Sequence, residues 1–311
     1  MRPLALGPGA EFDAVRRMLA RWGPAASGVG GDTAVLEIPA GERLVVSTDT
    51  SVENVHFRRA WLSPAEIGYR ATAAALSDLA AAAATPRALL LALTLPRAWR
   101  DGLDAIADGV ADAARAAGAA IVGGDLTSGE LLSLTVTVLG SAAHPLSRAG
   151  ARAGDVVYLT GRLGGPAAAL AAWLAGVAPD PLDRARFAHP VARLREAQWL
   201  AARGATAAID VSDGLVADAG HLAAASGVRI ALDLSAAPRT AGTTAIEAGR
   251  AGEEYELAAT APAGLDLSGF TREFDLPLTA IGRVTGGPAG VEVVVAGARV
   301  DPPMGYNHLS D

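Results

Sequence analysis

The sequence predicts two domains of mixed strands and helices, an α/β (α+β) chain whose mixed sheets carry flanking helices. Three observations point there. At 311 residues the chain has room for two separate cores. Strand-like and helix-like segments alternate in both halves, a pattern that gives layered architectures. The chain changes character near His144, which divides it into domains 1–144 and 145–311.

The elements follow in order. Glu11–Trp22 sets Phe12, Val15, Met18, Leu19 and Trp22 on one side of a helix. Ala34–Ile38 and Arg43–Thr48 read as strands about the Pro39–Gly41 turn. Ser63-Pro64-Ala65-Glu66 is a helix start, with Ser at the N-cap, Pro at N1 and Glu at N3; the helix runs to about Ala84, before Pro86. Leu89–Leu95 is a buried strand, and Arg100–Ala117 is a helix stopped by Gly118. Ala119–Val122 is a short strand entering Gly123-Gly124-Asp125, and Leu131–Leu139 is a long strand with β-branched alternation. In the second half, strand Val156–Thr160 leads through a Gly-rich turn to helix Pro166–Leu174. That turn, Thr160–Gly165, lacks a full G-x-G-x-x-G and reads as a tight turn. Helix Arg193–Arg203 precedes strand Ala207–Val211, and helix Leu215–Ala225 precedes strand Arg229–Leu234. Strands Tyr255–Ala259, Leu278–Val284 and Val291–Val295 complete the pattern.

Composition excludes several function classes. A net charge of −7 argues against nucleic acid or an anionic membrane surface as a general partner. Cys is absent, which removes disulfides, thiolate metal sites and a Cys nucleophile. Lys is absent too, so all 26 cationic side chains are Arg. That excludes a Walker A loop, the protein-kinase Lys and a Lys Schiff base. The most apolar stretch, Ala71–Leu95, is broken by Asp78, Pro86 and Arg87, and the N-terminus has no long apolar core. The expectation is a soluble cytoplasmic protein.

A recurring design places Asp among small residues at the end of an apolar segment. It occurs at Gly30-Gly31-Asp32, Ser47-Thr48-Asp49, Gly123-Gly124-Asp125 and Ile209-Asp210-Val211-Ser212-Asp213-Gly214. Any one of these alone fits an N-cap or turn residue. Asp78 does not, because it sits in an apolar helix among Ala and Leu, where a buried carboxylate needs a cation, from Arg or a metal. Carboxylates and hydroxyls without a His or Cys cluster suit Mg²⁺ bridging to phosphates. Gly-Gly before Asp125 lets backbone N–H groups approach an anion. Phosphoryl transfer uses such parts, since its catalysis is mostly positioning and charge neutralisation.

Segments in order along nearly the whole chain resemble the thiamine-monophosphate kinase family, within the superfamily of aminoimidazole ribonucleotide synthetase and selenophosphate synthetase. They are GGDTAVL (Gly30–Leu36), STDTSVENVHF (Ser47–Phe57), the SDLA of helix 63–86, IVGGDLT (Ile121–Thr127), SRAGARAGD (Ser147–Asp155), IDVSDGL (Ile209–Leu215), GEEYEL (Gly252–Leu257) and GYNHL (Gly305–Leu309). Gly31 and Glu254 stand where the family pattern has Asp, Ala251 where it has Gly, and Leu309 where it has Phe.

The resemblance implies a two-domain PurM-like fold whose N-terminal domain forms a dimer sheet or barrel. It implies transfer of the ATP γ-phosphate to thiamine monophosphate, giving thiamine diphosphate, with several Mg²⁺ ions. By motif, Asp32, Thr48, Asp49, Asp78, Asp125, Asp210 and Asp213 would ligate metal. Gly124, Asp125, Arg148 and Ser212 would contact ATP, and His56, Glu253 and Tyr306 would face the thiamine end. Two other readings stay open: a superfamily enzyme with a different acceptor, or a catalytically weak nucleotide-binding protein. With no Lys or Cys, transfer is expected to be direct and in line, without a phosphoenzyme. A homodimer is expected through strands of residues 30–50 and 130–140, as long edge strands need covering. His308, His144, His189 and His221 carry no assigned role.

Overall fold

The computed structural model describes residues 9–306. Residues 1–8 lie outside that range, as do His308 and Leu309 of the closing motif. The chain forms two compact units: one runs to Leu79 and resumes over Ala84–Pro145, and the other comprises Ala80–Ala83 and the chain from Leu146.

The first unit is a four-stranded sheet with helices. Its strands are β1 (Arg43–Val52), β2 (Thr85–Thr94), β3 (Ala120–Thr127) and β4 (Ser133–Ala142), in the order β1-β4-β2-β3. Only β2 and β3 are parallel. Its helices are α1 (Ala10–Trp22), α2 (Pro64–Ala81) and α3 (Leu103–Ala117). The period-two pattern of β4 buries Leu134, Val136 and Val138 and leaves Ser133, Thr135 and Thr137 half-exposed. One sheet face therefore carries the core, and the other is open. The open face shows Leu44 and Val46 of β1, with Thr48–Thr137 and Thr50–Thr135 hydroxyl pairs at 3.0 and 2.9 Å.

Helix α2 starts as its residues dictate. Ser63 N–H donates to Glu66 Oε2 at 2.8 Å, and Glu66 N–H donates to Ser63 Oγ at 3.3 Å, a reciprocal capping box. The helix stops at Ala81, three residues before the expected end, because Ala83 turns left-handed (φ 51). Ala83 N–H then bonds Ala80 O and Ala84 N–H bonds Leu79 O, which satisfies the last carbonyls in a Schellman motif. Helices α2 and α3 cross backbone to backbone. A Cβ on Gly68 would lie 2.2 Å from Ile106 O, and one on Gly109 would lie 1.9 Å from Ala65 O.

Several expected elements differ. Ala34–Ile38 forms no strand; among the described residues no segment pairs with it, and Val35 is 82% exposed. Helix α1 buries Ala14, Met18 and Trp22, at i, i+4 and i+8, and leaves Phe12 exposed. Residues 97–102 form a 3-10 turn, so α3 begins at Leu103. Strand β3 continues through Gly123-Gly124-Asp125 to Thr127, because β2 offers it a parallel partner to Thr94. Strand β4 pairs on both sides, so residues 133–142 are not a sheet edge as expected; β1 is.

The second unit is a seven-stranded sheet covered on both faces. Its strands are β5 (Val156–Thr160), β6 (Ala207–Asp210), β7 (Arg229–Asp233), β8 (Leu257–Ala261), β9 (Leu278–Thr285), β10 (Gly290–Val295) and β11 (Ala298–Val300). Their order is β11-β10-β7-β9-β5-β8-β6. Its helices are α4 (Gly165–Leu174), α5 (Pro181–Ala188), α6 (Leu194–Ala202), α7 (Leu215–Ser226), α8 (Ala245–Arg250) and α9 (Leu267–Phe274). Alternation along β5 sends Val157 and Leu159 into a core with Leu215, Leu222 and Ala248, while Tyr158 joins Trp199, Leu200 and Phe270 on the other face. Residues 255–256 lie outside β8, which begins at Leu257. Among the described residues no helix is long and apolar enough to cross a membrane.

Candidate active site

In the first unit the acids fall into separate groups. Ser47 and Asp49, two apart on β1, face α2, where Ser47 Oγ donates to Asp78 Oδ2 at 2.6 Å. Asp78 is half-buried, and this hydroxyl is one of its partners. Asp49 Oδ1 accepts the Thr50 N–H at 2.8 Å. Thr48 points to the opposite face, with its hydroxyl on Thr137. Gly124 and Asp125 lie on β3, at the far edge of the sheet. Three strand spacings separate β1 from β3, about 14 Å, so Asp49 and Asp125 of one unit cannot ligate one ion. Asp32 follows the segment that runs along β3, where Ser27 N–H donates to Ile121 O at 2.9 Å. His56 is half-buried just past β1. Its Nδ1 accepts the Val52 N–H at 3.1 Å, which leaves the proton of a neutral ring on Nε2.

In the second unit the motifs converge. β6 ends at Asp210, which is 4% exposed, and Val211–Gly214 turns into α7. Glu253 N–H donates to Ser212 O at 2.7 Å, and Tyr255 N–H donates to Val211 O at 2.9 Å. Tyr306 N–H donates to Asp213 O at 2.9 Å. Asp210, Ser212, Asp213, Glu253 and Tyr306 are thus assembled about one loop from three distant stretches of sequence. Arg148 is exposed beside that loop's strand, since Ala208 N–H donates to Ser147 O at 3.1 Å.

Asp218, in the first turn of α7, is 1% exposed. Its Oδ2 accepts the N–H groups of Ser212, Asp213 and Gly214 at 3.1–3.2 Å. Burial, and then the carboxylates of Asp210 and Asp213, push its pKa up to about 8 against the pull of those N–H donors. Ligand atoms of Asp213, Asp218 and His221 lie within 4.8 Å of one another.

Behind the Glu253 segment lies a buried ionic network. Arg193 holds Glu256 in a bidentate pair at 2.6 and 2.8 Å, and Thr160 Oγ1 donates to the same carboxylate at 2.7 Å. Arg186 reaches Glu256 at 3.1 Å and Glu254 at 3.3 Å. Glu254 also accepts the Gly164 N–H. Burial pushes the Glu254 pKa up to about 8, opposed by Arg186 and that N–H. Gly161 must lack a side chain, because a Cβ there would lie 2.2 Å from the Glu256 carboxyl.

Residues 30–142 match the family model described as AIR synthase related protein, N-terminal domain, and residues 152–295 match its C-terminal domain. The thiamine-monophosphate kinase of Salmonella typhimurium is 36% identical over 91% of this chain and 92% of its own length. The chain belongs to the thiamine-monophosphate kinase family. The crystal structure of the Stenotrophomonas maltophilia thiamine-monophosphate kinase is 37% identical, with a TM-score of 0.80 over 94% of this chain and 98% of that one. AaThiL complexed with AMPPCP and TMP is 30% identical, with a TM-score of 0.76 over 96% of each chain. The two-domain architecture read from the sequence is therefore that of the thiamine-monophosphate kinases.

Against the family motifs, several positions are new. Asp218 carries the same signal as Asp78, an acid in an apolar helix, four residues after the Asp213-Gly214 turn. Arg186 and Arg193 had no local signal; they lie 70 and 63 residues from Glu256. Glu254, where the family pattern has Asp, faces the interior rather than solvent: its side chain is 0% exposed.

Proposed function

We propose that this chain phosphorylates thiamine monophosphate with ATP, giving thiamine diphosphate and ADP. Its full-length likeness to thiamine-monophosphate kinases, among them a complex with AMPPCP and TMP, carries this reading. In that reading Gly124, Asp125, Arg148 and Ser212 contact ATP, and His56, Glu253 and Tyr306 face the thiamine end. Asp32, Thr48, Asp49, Asp78, Asp125, Asp210 and Asp213 form the metal-ligand set. The setting that fits an ATP-consuming biosynthetic enzyme is the cytoplasm.

The donor sets suit Mg²⁺: carboxylates beside hydroxyls in both units, with the crowded Asp210, Asp213 and Asp218 charges in the second. Bound there, Mg²⁺ would supply the charge neutralisation that two approaching phosphates require. The remaining work belongs to the chain. The acceptor is a phosphate oxygen that is already anionic near neutral pH, so no side chain needs to deprotonate it. Glu253 supplies a carboxylate for the thiazolium cation of the substrate, and His56 offers an Nε2–H donor at the acceptor end. The chain has neither Lys nor Cys, and with its site Asp residues committed to metal ions in this reading, the γ-phosphate passes directly to the acceptor. Purified protein given ATP, Mg²⁺ and thiamine monophosphate should form thiamine diphosphate and ADP in equal amounts. ADP without thiamine diphosphate would refute the acceptor.

Two further outcomes follow. Mg²⁺ with a non-hydrolysable ATP analogue should raise the melting temperature clearly more than the analogue alone, since a cation relieves carboxylate repulsion. Equal shifts would argue against a metal-bridged phosphate site. The open sheet face and the unpaired β1 edge, with Leu44 and Val46 about half-exposed, favour a homodimer through the first unit. Light scattering at micromolar concentration should give twice the chain mass; a monomer would reject it.

A further inference from the structure

We propose that Arg186, acting through Glu254, is a positioning residue for the phosphate acceptor: it holds the Glu253–Tyr255 turn so that the Glu253 carboxylate faces the substrate. The inference rests on the assignment of Glu253 to the thiamine end and adds Arg186, a residue that no motif contains.

The turn is one the backbone does not adopt unaided. Glu253 (φ 63) and Tyr255 (φ 54) are both left-handed, and neither is Gly. Such conformations persist where the surroundings over-determine them, and they gather at ligand sites. The backbone bonds from Glu253, Glu254 and Tyr255 to the Val211–Ser212 carbonyls fix where the segment lies. They do not decide which side chain turns inward. That is decided by Glu254, whose side chain is wholly buried between the Gly164 N–H and Arg186. Arg186 makes four anchoring contacts with one guanidinium. It bonds Glu254 Oε2 at 3.3 Å, Glu256 Oε1 at 3.1 Å, and the carbonyls of Arg162 and Glu254 at 3.2 and 3.5 Å. Glu256 is in turn held by Arg193 and Thr160, so Arg186 ties the turn to a rigid point.

With Glu254 drawn inward, its neighbours take the other side. The Tyr255 hydroxyl donates to Glu253 Oε2, which fixes the direction of that carboxylate. A planar, oriented anion is what a delocalised thiazolium cation would meet. Without Arg186, the buried Glu254 carboxyl keeps the Gly164 N–H but loses its cation beside Glu256, so the left-handed turn is held by its backbone bonds to Val211 and Ser212 and no longer by its inward side chain. Glu253 would then lose its aim while the metal-proximal acids stay in place.

The test is steady-state kinetics of the full chain with thiamine monophosphate and ATP varied separately. Arg186→Met is expected to raise KM for thiamine monophosphate about tenfold while changing KM for ATP less than about twofold, because it loosens an acceptor contact. Arg186→Lys keeps the cation but not the planar fork, and should give a KM between those of the parent and Arg186→Met. In a Glu253→Gln background, Arg186→Met should add less than about twofold, since the contact it positions is already gone. An unchanged KM for thiamine monophosphate, equal rises in both KM values, or a full further rise in the Glu253→Gln background would overturn the proposal. If Arg186→Met does not fold, Tyr255→Phe decides, because it leaves the buried ion pairs whole and removes the tyrosine hydroxyl from the Glu253 carboxylate; an unchanged KM there overturns it. Should Glu253→Gln itself leave KM unaltered, the thiamine-end assignment fails and takes this proposal with it. If only Arg186→Met is silent, the positioning role alone fails.

Discussion

Asp49→Asn and Asp125→Asn are each expected to lower kcat by about 10²–10³-fold while melting within a few degrees of the parent. The substitution keeps the shape of the side chain and removes one charge. Asp49 Oδ1 takes the Thr50 N–H, a bond that an Asn oxygen preserves. Asp125 is exposed and contributes little to the core. In the proposed metal-ligand set, what each variant would lose is affinity for a divalent cation between phosphates that repel one another. The two acids sit on opposite edge strands of one sheet, β1 and β3. Turnover at the parental rate in saturating Mg²⁺ would remove both residues from the metal set.

Glu256→Leu is expected to be the most destabilising change outside the apolar cores. The carboxylate has no exposed surface and is shared by Arg193, Arg186 and Thr160. Removing it takes from Arg193, whose side chain is 13% exposed, its bidentate partner and leaves it the longer contact to Glu196 at 3.7 Å. Breaking a buried pair from one side costs about 3–5 kcal/mol. For a unit of this size that corresponds to a fall of about 10 °C in Tm. Glu292→Leu is the matched control. Glu292 bridges Arg229 and Arg299 with its side chain 28% exposed, and an exposed pair contributes about 0–1 kcal/mol. Calorimetry or a thermal scan separates the two; equal melting of both variants would mean that the Glu256 network is solvated rather than buried.

Local chemistry made much of this molecule legible from its residues. Ser63 and Glu66 cap α2 because both partners of the box lie within one turn. Strand β5 and helix α7 fall where their apolar periods place them, since burial of one face needs no information beyond a few neighbouring residues. The SDGL and GEEYEL segments were recognisable as motifs of the family because their residue types and order are specific. Tertiary structure alone decided the rest. Ala34–Ile38 has a strand's composition and is no strand, because a ladder needs a partner and among the described residues none pairs with it. The distance between Asp49 and Asp125 depends on the order β1-β4-β2-β3, which no local pattern encodes. The side of the turn on which Glu254 lies depends on Arg186 of α5, 68 residues earlier. Periodicity and capping act over a turn or two of chain, whereas strand order and buried charge pairing are settled only when the whole sheet closes around its core.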